Sequence, residues 1–170
     1  ISLGLVGSEM CIRDSHWGVP ITLARQPRDA RFAAIEMGMN NRGEIAPLTR
    51  MARPHVAIIT TIGTAHIGNL GSQEAIAEEK ADILLGLEKD GTAILPADSA
   101  FLPQLMARAK QAGARVLTFG ESARAEIQLT DYVAGADRGT ARLLMDGLPL
   151  SVHLAAPGLH LSLIHISEPT

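Results

Sequence analysis

Residues Ile58–Leu87 read IITTIGTAHIGNLGSQEAIAEEKADILLGL, and the fold turns on this stretch. It opens as an apolar, β-branched run and breaks at Gly63 into a loop that carries His66. It restarts after Gly71 as a helix opened by Ser72, a good N-cap residue. On a wheel of about 100° per residue, Ile76, Ala77, Ile83, Leu84 and Leu87 share one side of that helix, and Glu78, Glu79 and Asp82 share the other. Lys80 falls in the middle of the apolar side. A lysine turned into a core meets a counter-charge, loses its proton or is chemically modified; otherwise it snorkels, so that only its methylenes are covered. Lys80 and His66 both follow the carboxyl end of a strand, where open α/β sheets bind ligands.

Working upstream, HVAIITTI is a strand and GEIAPLTRMARP before it a helix stopped by Pro54. RFAAIEMG, residues 31–38, reads as a buried parallel strand with the carboxylate of Glu36 at its tip, and HWGVPITLARQP from His16 as a loop into a short helix. Working downstream, GTAILPAD from Gly91 is a strand, SAFLPQLMARAKQAG from Ser99 a helix closed by Gly113, and ARVLTFG another strand. Strands alternating with helices at this spacing predict an α/β fold with a mostly parallel sheet flanked by helices. After Gly120 the pattern shifts to a period near two. Turn signals at Asp137–Gly139 and Asp146–Gly147 predict a small antiparallel meander of two or three strands near the C-terminus.

The chain has 170 residues, 46% of them hydrophobic, with a net charge of −3, which suits one globular domain or part of a larger protein. With aromatics at only 3%, the core is built from Ala, Ile, Leu, Val and Met. No basic cluster marks a nucleic-acid partner, and no apolar run approaches the ~20 residues that span a bilayer. One cysteine, Cys11, excludes an intramolecular disulfide and suggests a reducing compartment. Residues 1–15 and 161–170 differ in texture from the middle and resemble read-through translations of sequencing adapters. They are set aside as non-native tails, which makes residues 16–160 the native part, Cys11 foreign, and the protein truncated on both sides.

Several motifs stand in a fixed order: GVPITL (18–23), EMGMNNRGEI (36–45), AHIGNLGS (65–72), IAEEK (76–80) and PGLH (157–160). Together they resemble the central ATPase domain of the Mur ligase family, in the branch that adds D-alanyl-D-alanine during bacterial cell-wall synthesis. The likeness covers about residues 16–160. It implies a truncated P-loop NTPase-like domain of a cytoplasmic enzyme, monomeric when full length. The reaction it implies is ATP-dependent amide formation, joining D-alanyl-D-alanine to UDP-N-acetylmuramoyl-tripeptide through an acyl phosphate. ATP and Mg2+ are the implied cofactors. By resemblance Glu36 and His66 help hold magnesium, and Lys80 matches the lysine that is carbamylated in the family, its new carboxylate serving a second metal. The wheel position agrees, since a lysine in apolar surroundings is more readily neutral and only the neutral amine adds CO2.

Asn40, Arg42 and Glu44 follow Glu36 on a loop and either face the UDP-peptide substrate or form a solvated turn in which Glu44 caps its helix. His55 and His153 read as surface or strand histidines, and Met37 and Met39 as packing residues. The phosphate-binding pattern GxxxxGK[ST] is missing, since none of the three lysines, Lys80, Lys89 and Lys110, follows a glycine. Thr61 and Pro96 stand where many of the family have Asn, so those roles are not carried over. Three other readings stay open: another ligase of the family or a folylpolyglutamate synthase-like one, a metal-dependent hydrolase using Glu36 and His66, and a non-catalytic α/β binding module in which Lys80 snorkels.

Overall fold

The computed structural model describes residues 17–135 and 138–154. The two tails, Cys11, the PGLH motif and Asp137 lie outside the described residues. The helices are α1 (Gly18–Arg25), α2 (Ile45–Ala52), the single turn α3 (Ile67–Leu70), α4 (Gln73–Ala81) and α5 (Leu102–Gln111), with a 3-10 segment at Asp82–Gly86. Six strands, β1 (Val56–Ile58), β2 (Thr92–Pro96), β3 (Arg115–Gly120), β4 (Ile127–Ala134), β5 (Gly139–Met145) and β6 (Leu148–Leu154), form one sheet in sequence order.

The first four strands run parallel, and β4, β5 and β6 form the expected antiparallel meander. The parallel β3–β4 pairing is short, Phe119 and Gly120 against Ile127 and Gln128. The meander therefore begins beside the carboxyl end of β3 and continues past it. The β5–β6 turn has Asp146 at φ +52° and Gly147 at φ +75°, the two positive angles that a tight hairpin turn requires.

Alternation along β1 and β2 sends Ala57, Ile59, Ala93 and Leu95 to one face. There they meet Ala81, Leu84, Leu105 and Ala109 from the α4, 3-10 and α5 segments. A second cluster, Met39, Ile45, Leu70, Ala75 and Ile76, packs α2, α3 and α4 together, and Ile62 and Ile83 border both clusters. Met37 and Met39 pack here, as their reading required. Thr49, fully buried in α2, donates to the Ile83 carbonyl at 2.6 Å, and the α2 backbone passes so close to Gly86 that a side chain there has no room. Helix α2 ends at Arg53 in the left-handed conformation. The Arg53 guanidinium meets the Glu88 carboxylate at 2.5 Å, and that hydrogen bond holds the Glu88 carboxyl below its ordinary range.

Two expectations need correction. Residues 31–38 form no strand: Phe32 is 65% exposed and Glu36 is exposed too. An apolar run becomes a strand only where it pairs along a neighbouring edge, and these residues do not join the sheet, in which β1 is the edge strand and pairs with β2 alone among the described residues. Helix α4 is also not two-sided. It ends at Ala81 and the chain tightens into the 3-10 turn, so the 100° wheel loses phase before Ile83, Leu84 and Leu87. Glu79, assigned to the solvent side, is 5% exposed, whereas Glu78 on the same helix faces solvent.

Candidate active site

The site is organised by three successive residues at the end of α4. Ser72 opens this helix as expected, its hydroxyl oxygen accepting from the Ala75 amide at 3.2 Å. Two turns later the chain reads Glu78, Glu79, Lys80: Glu78 meets the Arg42 guanidinium, Glu79 the backbone amides of Gly43 and Ile45, and Lys80 the Thr61 carbonyl. The Lys80 ammonium, half-buried, donates to the Thr61 carbonyl at 3.0 Å. Thr61 lies in the loop that leaves β1 and carries His66, so Lys80 is drawn to the carboxyl end of the parallel strands rather than out along the helix. Because Thr61 contributes a backbone oxygen, the identity of its side chain is immaterial to this contact.

His66 sits one residue before α3 in the left-handed conformation, φ +63°, and its side chain is exposed. A positive φ at a residue with a β-carbon is uncommon and concentrates where a side chain has to be aimed. Glu36 lies on the irregular segment before the Asn40–Glu44 loop, exposed, with Met37 and Met39 anchoring the chain on either side of Gly38. Among the described residues, no three His, Cys, Asp or Glu side chains group so as to hold a metal ion.

The Asn40–Glu44 loop is tightly made. Glu44 stands immediately before α2 but does not cap it; its carboxylate turns back to accept from the Asn40 amide at 2.7 Å and the Asn41 side-chain amide at 2.9 Å. Gly43, at φ +83°, supplies the left-handed step into the helix. The capping that one of the two readings gave to Glu44 comes instead from Glu79 on α4, whose two oxygens accept from Gly43 N at 2.7 Å and Ile45 N at 3.0 Å. Outside the loop, Arg42 pairs with Glu78 at 3.5 Å, both side chains mostly exposed.

Asp98 plays a similar part at the other strand ends. On the turn after β2, it accepts from Glu121 N at 2.7 Å and Ser122 N at 3.0 Å and so holds the β3 exit. A β-carbon on Gly120 would stand 2.2 Å from its Oδ2. Neither Glu79 nor Asp98 was singled out by sequence; an Asp just past a strand was a visible signal, whereas Glu79 looked like one of two solvated glutamates. His55 is exposed before β1, and His153 is exposed on β6 with its Nδ1 3.1 Å from the Thr140 hydroxyl, consistent with surface and strand positions.

The Thr61–His66 loop that leaves β1 and the lysine held on it lie at the carboxyl end of the parallel strands, where open α/β sheets bind their ligands. The profile of the Mur ligase middle domain matches residues 4–162, and the chain belongs to that family. Its relatives narrow the kind. The UDP-N-acetylmuramoyl-tripeptide–D-alanyl-D-alanine ligase of Bacillus subtilis (strain 168) is 37% identical over 127 residues, 75% of this chain and 26% of that protein. The ligase of the same name from Synechocystis is 40% identical over 147 residues, 84% of this chain and 29% of that protein. The crystal structure of MurF from Acinetobacter baumannii superimposes with a TM-score of 0.79 at 28% identity, covering 88% of this chain and 32% of that one. The chain thus spans under a third of the length of each of these relatives.

Proposed function

We propose that this chain is the middle portion of a ligase that joins D-alanyl-D-alanine to UDP-N-acetylmuramoyl-tripeptide at the expense of ATP. The observation that carries the reading is the draw of Lys80 onto the Thr61 carbonyl at 3.0 Å, within a chain whose relatives bear that activity in their names. In the proposed reaction an oxygen of the tripeptide carboxylate attacks the γ-phosphorus of ATP, ADP leaves, and an acyl phosphate forms. The amine of D-alanyl-D-alanine then attacks the acyl carbon, the C–O bond breaks, inorganic phosphate departs and the amine loses a proton. Such a sequence gathers negative charge at one point, so the surrounding groups act mainly by orientation and charge compensation.

Within it, Lys80 as the neutral amine adds CO2 and becomes a carboxylate, while Glu36 and His66 supply the remaining side-chain donors. The donor chemistry suits a hard divalent cation, because Mg2+ keeps several waters and takes one or two carboxylates from the protein. Glu36 and carbamylated Lys80 would provide those two, and His66 would be a third donor. Bound there, Mg2+ would neutralise phosphate charge. Asn40, Arg42 and Glu44 orient the UDP-linked peptide, for which a pre-shaped loop with a guanidinium at its rim is suited. The test is a ligation assay on the full-length protein. One amide bond, one ADP and one phosphate per turnover are expected, and amide formation with a single amino acid in place of D-alanyl-D-alanine, or ATP hydrolysis without an amide, would overturn the reading.

A further inference from the structure

Glu79 is a buried carboxylate to which the proposed reaction gives no part. Its two oxygens each accept a different backbone N–H, from Gly43 and Ile45, residues 36 and 34 positions away in the chain. These amides belong to the start of α2, where N–H groups lack partners within the helix and where the helix dipole favours an anion. Glu78 and Arg42 hold the same loop from outside, but an exposed ion pair contributes little, so the bidentate contact through Glu79 is the stronger tie. Lys80, the next residue, holds the Thr61 loop. One rigid helix end thereby fixes the distance between the loop bearing Asn40 and Arg42 and the loop bearing His66.

We infer that Glu79 is a positioning residue: its paired hydrogen bonds lock the Asn40–Glu44 loop to the Lys80 helix and so set the affinity for the nucleotide-linked peptide. This rests on the ligase reading above. A glutamine at 79 keeps one acceptor oxygen and turns an NH2 group toward the other backbone N–H, so one of the two bonds becomes a clash of donors.

In the full-length protein, Glu79→Gln should raise KM for UDP-N-acetylmuramoyl-tripeptide about tenfold and leave KM for ATP unchanged. Glu79→Asp, which retains two acceptor oxygens, should recover part of that affinity. Amide exchange at Gly43 and Ile45 should quicken in Glu79→Gln. If the variant ligates with an unchanged KM for the tripeptide, or if all substrates and the melting temperature are affected alike, the positioning role is overturned while the ligase reading stands. A wild-type protein without ligation would overturn both.

Discussion

Lys80 and Glu79 are neighbours in the chain yet serve different loops, and only one of them was legible in advance. The apolar positions around Lys80 signalled an inward turn, and its amine is held at Thr61. Glu79 was misjudged because a wheel sorts residues by hydropathy, and a carboxylate enters a core wherever backbone donors await it; nothing local in the sequence reveals amides contributed from residues 43 and 45. At this scale the expectation for Lys80→Ala in the full-length ligase is loss of turnover by at least about a hundredfold, the scale of losing a preorganised charge-compensating group. Short-chain carboxylic acids should restore part of it by filling the space of the missing carboxylate. Ligation rates with and without added acetate check this, and an unaltered rate in Lys80→Ala would remove the residue from the chemistry.

Among the elements, the α2 and 3-10 pair is the tightest junction. A β-carbon at Gly86 would lie 2.2 Å from the Thr49 carbonyl oxygen, a backbone atom that moves only if the helix moves. Gly86→Ala should therefore lower stability by about 1–3 kcal/mol, read as a shift of the urea midpoint, even though replacing glycine at an unstrained position ordinarily stabilises. An unshifted midpoint would show that the helices slide apart freely. Helix positions, the parallel strands and the meander were readable because each carries its own period and punctuation: the Pro54 stop, the left-handed Gly113 at φ +68°, and the Asp146–Gly147 turn. Residues 31–38 were misread for the opposite reason. A strand depends on pairing along an edge, and the local run of apolar residues does not say whether that pairing forms.

For the whole molecule, the family match and the sheet order agree on a mostly parallel α/β fold, in which the AHIGNLGS motif follows the carboxyl end of β1 and IAEEK lies on the helix after it. The three histidines among the described residues, His55, His66 and His153, stand far apart in the sequence and form no H-x-H or H-E-x-x-H pair of the kind a zinc hydrolase uses.

 

The 170 residues contain no GxxxxGK[ST] loop, and gripping the β- and γ-phosphates depends on such a loop. This chain alone should therefore release no phosphate from ATP above the rate of a blank, and steady turnover by it would show that the phosphates are held in another way. No helix among the described residues is long and apolar enough to cross a membrane.

The most direct measurement is a carbon-13 NMR spectrum of the full-length protein equilibrated with labelled CO2. Addition of CO2 to the neutral Lys80 amine forms an N–C bond and releases a proton, so one protected carbamate carbon should appear, and it should vanish in Lys80→Ala. An absent carbamate signal, or one that persists in Lys80→Ala, would contradict the role assigned to this lysine.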